Sequence, residues 1–227
     1  MKLLISIVSL VLLASCASSQ NNKPKQEEQP KTNQADENKI FTGDTKKPST
    51  KEAVAYFAEG CFWHTEIVFQ SLEGVRDAVS GYAGGTTADP SYEDVGEGQT
   101  GHAETVQVFY DPTKISFETL VKAFFESHDP TQLNKQGNDV GTQYRSVAFY
   151  SNDAEKQTIE KELKAVADSK KYPGKIVTEV KLFSNFYPAE KYHQEYIINN
   201  PDNRYVQLVS VPDYVKFRKE FKGKFKS

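Results

Sequence analysis

The chain is poor in sulfur: its 227 residues include two cysteines and one methionine. Only Cys61 falls in the part that reads as folded, so no disulfide can form within that part, and a domain of ordinary size needs none. A metal cage is equally unsupported. The four histidines, His64, His102, His128 and His193, stand at no familiar zinc spacing, and Cys61-Phe62-Trp63-His64 lacks the second cysteine of a haem-attachment site. Basic excess is missing as well. The net charge is −3 and no basic stripe appears, which argues against nucleic acid as a partner. The lysine-rich end, from Lys216 through Lys226, reads as a solvated helix face. Beyond Leu13 no apolar run approaches the length of a membrane span.

What is there begins with an export leader. Lys2 supplies a positive start, and residues 3–13 are almost wholly apolar, a run too short to cross a bilayer. It ends in Leu13-Ala14-Ser15-Cys16, which resembles the lipobox of bacterial lipoproteins. That resemblance implies cleavage before Cys16, with lipid on its sulfur and its new amino group. The alternative is an ordinary secretory signal that contains a cysteine. Residues 1–15 are therefore expected to be a signal peptide and residues 16–51 a lipid-anchored tether. The tether is rich in Gln, Asn, Lys, Glu, Ser, Thr and Pro, and its strongly apolar residues are Ile40 and Phe41, too few to offset the entropy of ordering it. A coil of about 35 residues reaches on the order of 30 Å. The expected location is a bacterial membrane, facing the periplasm or the cell exterior. Residues 52–227 have the size of one domain with a sizeable core.

Within that domain, short apolar runs predict strands over residues 53–58, 75–82, 102–110, 144–150 and 176–183. Helical periodicity predicts helices over residues 62–70, 116–127, 153–168, 189–198 and 211–221, with Asn152 or Asp153 capping the third. Strands and helices mix without strict alternation. The pattern favours an α+β layered domain, a mixed sheet packed by helices, over a doubly wound parallel sheet.

Cys61 comes where a strand meets a helix start. There a thiol sees the positive end of the helix dipole and unpaired backbone N–H groups, which favour the thiolate. The competing reading is a buried cysteine acting as a small hydrophobe. Phe62 and Trp63 cannot share one narrow helical face, so they either line an apolar pocket beside Cys61 or, for one of them, pack in the core. Glu104 shares a strand face with Val106, Val108 and Tyr110 by the two-residue repeat. A carboxyl on a face that buries valines has a raised pKa and keeps its proton near neutrality, as a general acid must. Otherwise it is a strand-end glutamate that reaches solvent. Gly137 through Arg145 mixes glycines with polar side chains before a strand, as a site loop or as a connecting turn.

Several separated stretches agree with one family. They are Gly60-Cys61-Phe62-Trp63, Gly81 through Gly85, Pro90-Ser91-Tyr92, Thr100 through Glu104, Phe124 through Pro130, Gly137 through Arg145 and Tyr192-His193-Gln194. In this order, over residues 54–205, the chain resembles an A-type peptide methionine sulfoxide reductase, in a lipoprotein form. The resemblance implies a methionine sulfoxide reductase A-like fold and reduction of methionine (S)-sulfoxide, free or in proteins. It implies that Cys61 attacks the sulfoxide sulfur, that Phe62 and Trp63 seat the S-methyl group, and that Glu104 protonates the sulfoxide oxygen. Tyr92, Asp139 and Tyr144 would organise that oxygen and nearby water by hydrogen bonds. A sulfoxide oxygen leaves poorly until protonated, so thiolate attack needs a neighbouring acid. The products are methionine and a sulfenic acid on Cys61.

Two departures from the family pattern stand out. His64 and Thr65 follow the tryptophan where many relatives have smaller or apolar residues. No resolving cysteine follows Tyr205, so the sulfenic acid must be reduced by an external thiol, either a small molecule or a thioredoxin-like protein. No bound cofactor or metal is expected, and the domain is expected to be a monomer. Two readings from other classes compete: a lipoprotein binding module that has lost turnover, and a Cys–His hydrolase or transferase in which a histidine reaches Cys61 in space.

Overall fold

The computed structural model describes residues 51–226. The signal peptide expected over residues 1–15, lipidation at Cys16 and all of the expected tether but Lys51 lie outside the described residues. In chain order the elements are β1 (Ala53–Glu59), α1 (Phe62–Gln70), β2 (Val75–Ala83), α2 (Tyr92–Gly96), β3 (Ala103–Tyr110), α3 (Phe117–Ser127), β4 (Lys135–Gln136), β5 (Asp139–Val140), β6 (Ser146–Tyr150), α4 (Asp153–Ser169), β7 (Glu179–Leu182), β8 (Phe186–Pro188), α5 (Tyr196–Asn199) and α6 (Val211–Glu220). Single 3-10 turns at Thr142–Tyr144 and Lys191–His193 and a π-helical turn at Val206–Ser210 lie between them.

Six strands form one sheet in the order β7-β6-β1-β3-β2-β8, and β4 pairs with β5 in a separate ribbon. Within the sheet only β6 and β7 run parallel, so it is mixed and the class is α+β, as expected. Central β3 pairs with β1, where Val106 faces Phe57, and with β2, where Glu104 faces Tyr82. Side-chain alternation sends Val106, Val108 and Tyr110 of β3, with Ala55 and Phe57 of β1, into the main core. There they meet Phe69 of α1, Leu120, Val121 and Phe124 of α3, and Phe217 of α6. Phe57 stacks on Phe69 at 4.9 Å and on Phe124 at 5.3 Å between ring centres. Taking each such ring out of water contributes about 1.5–3 kcal/mol. The opposite sheet face buries a smaller cluster of Ala58, Ala83, Ala103, Val147 and Phe149.

Local chemistry sets the helix starts. The Ser116 hydroxyl accepts the Thr119 N–H at 3.1 Å to cap α3. Of the two caps the sequence allows for α4, the chain uses Asn152, whose side-chain oxygen accepts the Glu155 N–H at 3.0 Å.

Two of the expected elements are cut short in ways that bear on the site, and α2, β4, β5 and β8 are additions to the expected set. The helix expected over residues 189–198 is broken into the Lys191–His193 turn and α5, because Glu195 sits in the left-handed region at φ 52°. The Glu195 N–H, freed by that kink, donates to both carboxylate oxygens of Glu66 at 3.0 and 3.1 Å. The strand expected over residues 144–150 begins instead at Ser146, since Thr142–Tyr144 coil into a turn that carries Tyr144 off the sheet. β8 had no signal in the sequence: it is three residues long and ends in a proline, which only a sheet edge tolerates.

Candidate active site

β1 ends at Glu59 and α1 begins at Phe62, leaving Gly60 and Cys61 to make the turn. Gly60 has φ 110°, and a Cβ there would stand 2.7 Å from the Cβ of Gln136, so the turn requires glycine. Cys61 thereby becomes the N-cap of α1, its carbonyl accepting the N–H groups of His64 and Thr65 at 3.1 and 3.3 Å.

β3 brings Glu104 to the same helix start. The side chain is 3 % exposed, and one oxygen accepts the Phe62 N–H at 2.9 Å. Burial raises its pKa to about 8, the Phe62 N–H pulls it back down, and the nearby Asp139 adds to the rise. Of the two readings the sequence left open, the structure has the buried carboxyl, not a solvated strand end.

The thiol departs from expectation. Burial, first of all, and then the charges of Glu104 and Asp139 push the Cys61 thiol well above its ordinary pKa. The Trp63 N–H and the Tyr205 hydroxyl oppose that push without overcoming it. A nine-residue helix with its first N–H already given to Glu104 offers too little positive potential. Cys61 is half-buried and rests as a thiol. Its titration is tied to that of Glu104: with the proton on the carboxyl, one of the two charges opposing a thiolate disappears.

The remaining expected residues gather around this pair. Tyr92 opens α2, and Tyr144 ends the 3-10 turn. Both hydroxyls are raised in pKa, foremost by burial and then by Glu104, and each also feels Cys61 and Asp139. They are therefore hydrogen-bond donors throughout the neutral range. Asp139 lies on β5 and is raised by burial, while a 2.5 Å hydrogen bond from the Tyr205 hydroxyl lowers it. That hydroxyl also sits against the Cys61 sulfur, so its single proton serves either the carboxylate or the sulfur.

Phe62 and Trp63 divide as their adjacency requires. Phe62 is 1 % exposed, packed 5.9 Å from Tyr82 and 5.1 Å from the His193 ring. Trp63 stays half-buried and is locked in place. Its indole N–H donates to His193 Nδ1 at 3.1 Å, and its ring stacks on Tyr196 at 3.7 Å with 7° between planes. Tyr205 meets it edge-on at 6.1 Å. An apolar wall with a fixed indole face thus stands beside the thiol and the buried acid.

Polar groups pin this wall from behind. Glu190 accepts the Tyr82 hydroxyl and the Tyr92 N–H, each at 2.9 Å. Gln194 brackets β2 by accepting the Ser80 N–H and donating to the Ser80 carbonyl, both at 3.0 Å. Glu66, 2 % exposed, takes the Ser80 hydroxyl and the Glu195 N–H. Its pKa is raised by burial to about 8, with the hydrogen bond from Glu195 the largest opposing cause. The unfolded chain releases this proton near the ordinary 4.5, so the folded state holds the extra proton between those values. Stability therefore falls as pH rises through that window and stops falling above it. Glu66→Gln is expected to make the drop in Tm between pH 5 and pH 8 shallower, by on the order of a few kcal/mol in unfolding free energy at most. Thermal unfolding at the two pH values checks it, and an unchanged slope would show that Glu66 does not carry this dependence.

Sequence reasoning passed over Tyr205, Glu59 and any role for His193. Glu59 obeys the same alternation that singled out Glu104, sharing its β1 face with Ala55 and Phe57, and is 1 % exposed. The signal for Tyr205 is weaker: Asn203 Oδ1 accepts the N–H groups of Tyr205 and Val206 at 2.9 and 3.2 Å, capping the helical run that follows. A cavity of about 330 Å³ lined by Lys122, Glu162 and Phe221 among others does not reach Cys61. Among the described residues, no group of three or more His, Cys, Asp or Glu is arranged to hold a metal ion, and no helix is long and apolar enough to cross a membrane.

Comparison with known proteins covers this whole arrangement. The sequence profile of the family described as peptide methionine sulfoxide reductase matches residues 53–225. Peptide methionine sulfoxide reductase MsrA of Nautilia profundicola is 50 % identical over 165 residues, covering 73 % of this chain and 94 % of that protein. Its counterpart in Pasteurella multocida is 49 % identical over 167 residues, covering 74 % of this chain and 95 % of that one. Among solved structures, reduced Mxr1 of Saccharomyces cerevisiae superposes with a TM-score of 0.65 at 37 % identity, covering 69 % of this chain and 91 % of its own. Methionine sulfoxide reductase A of Corynebacterium diphtheriae gives 0.62 at 36 % identity, over 67 % and 77 % of the two chains.

Proposed function

Because this chain belongs to the peptide methionine sulfoxide reductase family and is a peptide-methionine (S)-S-oxide reductase, we propose that Cys61 is the sulfur that takes the substrate's oxygen. The observation that carries this reading is the buried, proton-bearing Glu104 at the same helix start as the only thiol of residues 51–226.

In the proposed cycle the methionine side chain enters against Trp63 and Phe62, which take its S-methyl group. Tyr92 and Tyr144 donate to the sulfoxide oxygen, and Asp139, held by Tyr205, orients the neighbouring water. The proton on Glu104 passes to that oxygen as the Cys61 thiolate bonds to the sulfoxide sulfur. Charge on the sulfur and charge on the acid are mutually opposed at rest, so the proton leaves the thiol most readily while Glu104 keeps its own. The sulfoxide S–O bond and the transient S–S bond both break as the protonated oxygen passes to the Cys61 sulfur, methionine departs, the enzyme is left as a sulfenic acid, and the proton released by the thiol returns to Glu104. An external thiol, small or carried by a thioredoxin-like protein, then attacks Cys61; a second thiol frees it as a disulfide. One chain holds every group named here, which supports action as a monomer.

Anchoring belongs to the same proposal. Leu13-Ala14-Ser15-Cys16 supports lipidation at Cys16 after removal of residues 1–15, with residues 16–51 as tether to the domain at 52–227. The enzyme then repairs oxidised methionine in proteins outside the cytoplasm.

The hydrolase alternative finds little support at Cys61. His128 has its Nδ1 on the Phe124 carbonyl at 2.7 Å and its Nε2 on the Ser146 hydroxyl at 2.8 Å. Burial lowers its pKa to about 4, and His64 is lowered by the same cause. Neither ring is poised to hold a proton taken from a thiol.

One measurement tests the reading: mass spectrometry of the protein after reaction with a methionine sulfoxide peptide, with the thiol donor withheld. One equivalent of methionine peptide per chain and one added oxygen at Cys61 are expected. Residues 2–227 contain no methionine, so no thioether of the mature chain can mimic the mass gain. Methionine release without an oxidised Cys61, or no release at all, would remove the sulfenic acid from the mechanism.

A further inference from the structure

A second hollow reaches Cys61 and has only Asp139 and Tyr205 in common with the groups around the substrate. Its volume is about 60 Å³, and its lining includes Glu59, His64, His128, Ser210 and Asp213 together with Cys61, Asp139 and Tyr205. Phe62, Trp63, Tyr92, Glu104 and Tyr144 do not line it. Three buried polar atoms on its lining residues lack any hydrogen-bond partner: Glu59 Oε1, His64 Nδ1 and Ser210 Oγ. Such atoms are rare in folded proteins because each forfeits its hydration, so their clustering marks a place built to receive a polar group. A space this size admits an oxygen substituent and a water or two, each water needing roughly 15 Å³.

We infer that this hollow receives the hydroxyl of the Cys61 sulfenic acid and that Glu59 protonates it as it leaves during recycling. The inference rests on the sulfenic acid reading above. Once methionine has gone, rotation about Cα–Cβ swings the S–OH group out of the substrate seat into the hollow. The external thiolate enters the emptied seat and attacks Sγ. The S–O bond breaks as the new S–S bond forms, and the departing hydroxide takes the Glu59 proton to become water. The attacking thiol's own proton restores the acid, so one sulfenic acid and one thiol yield one mixed disulfide and one water. Glu104 is poorly placed for this second duty, since it does not line the hollow.

The side chains in the hollow are arranged for the transfer. Glu59 Oε2 is engaged, accepting the Ser127 hydroxyl at 2.8 Å, which leaves Oε1 free to carry the proton. Burial holds that carboxyl well above the ordinary carboxylate range, with the Ser127 bond opposing. His64 Nε2 lies 3.4 Å from the Ser127 carbonyl. Its unpartnered Nδ1 gives the hollow a polar group that can hold a water. His64, the residue that departs from the family pattern, here has a task.

Stopped-flow analysis of the full chain separates the two half-reactions. A methionine sulfoxide peptide first oxidises the enzyme without donor; dithiothreitol is then added and the remaining sulfenic acid is trapped and weighed with time. Glu59→Gln is expected to leave the methionine burst within about twofold of wild type and to slow sulfenic acid reduction at least tenfold, toward the range lost with other general acids. Ser210→Val, which fills the hollow without touching Glu59, should slow the same step and spare the burst. Wild-type recycling in either variant, or equal slowing of both steps, overturns the inference. Absence of a burst in the wild type would instead overturn the sulfenic acid reading itself.

Discussion

Cys61→Ser is expected to abolish turnover of methionine sulfoxide, by about 10⁴-fold or more in kcat/KM. A serine hydroxyl at the same N-cap is isosteric but is a far weaker nucleophile toward sulfur, and oxygen has no sulfenic state in which to hold the substrate's oxygen. No other sulfur of the domain can stand in, since the second cysteine is Cys16 and the lone methionine is Met1. Serine is also a good cap, so the fold should keep its unfolding midpoint. The assay is steady-state reduction of a methionine (S)-sulfoxide peptide with dithiothreitol as donor. Retained activity in that variant would falsify the assignment of Cys61 outright.

The second large effect is at Glu104. Glu104→Gln keeps the shape and the hydrogen bond from Phe62 N–H but cannot release a proton. The methionine burst is expected to slow by about 10²–10⁴-fold, with substrate affinity changed little. The pH dependence gives an independent reading. The acid must be protonated to act, and its pKa in the fold is about 8, so the wild-type burst rate should fall as pH rises through that value. In the glutamine variant this limb should vanish, leaving only the rise that comes from ionising Cys61. An unchanged burst rate, or a limb that survives the substitution, would assign the proton to another group. Tyr92 and Tyr144 do not fit that part, because burial and the neighbouring carboxylate make them hold their protons harder still.

Burial of Glu104 was legible from alternation as one of two readings, because β3 is long enough for three apolar neighbours to suggest which face is buried. The same rule applied to Glu59 would have found the second buried carboxyl, where Ala55 and Phe57 mark the face. The thiol was legible in position and not in charge. Burial, with the facing acids Glu104 and Asp139, outweighs a short helix, and neither the depth of Cys61 nor the approach of Asp139 is written in neighbouring residues. Tyr196 and His193, which lock Trp63, lie more than a hundred residues away in sequence and flank a kink at Glu195 that helical periodicity conceals.

By itself the sequence determined the local matters: where the longer strands run, where Gly60 forces a turn, that the domain holds one sulfur, and that the class is α+β. Those follow from propensities and periodicities that act between near neighbours. The tertiary structure alone decided that the thiol is at rest protonated, which face of Trp63 is held, and that a lined hollow reaches Cys61. These depend on desolvation and on charges brought together across the sheet, and such energies are set by distance in space, to which distance along the chain is no guide.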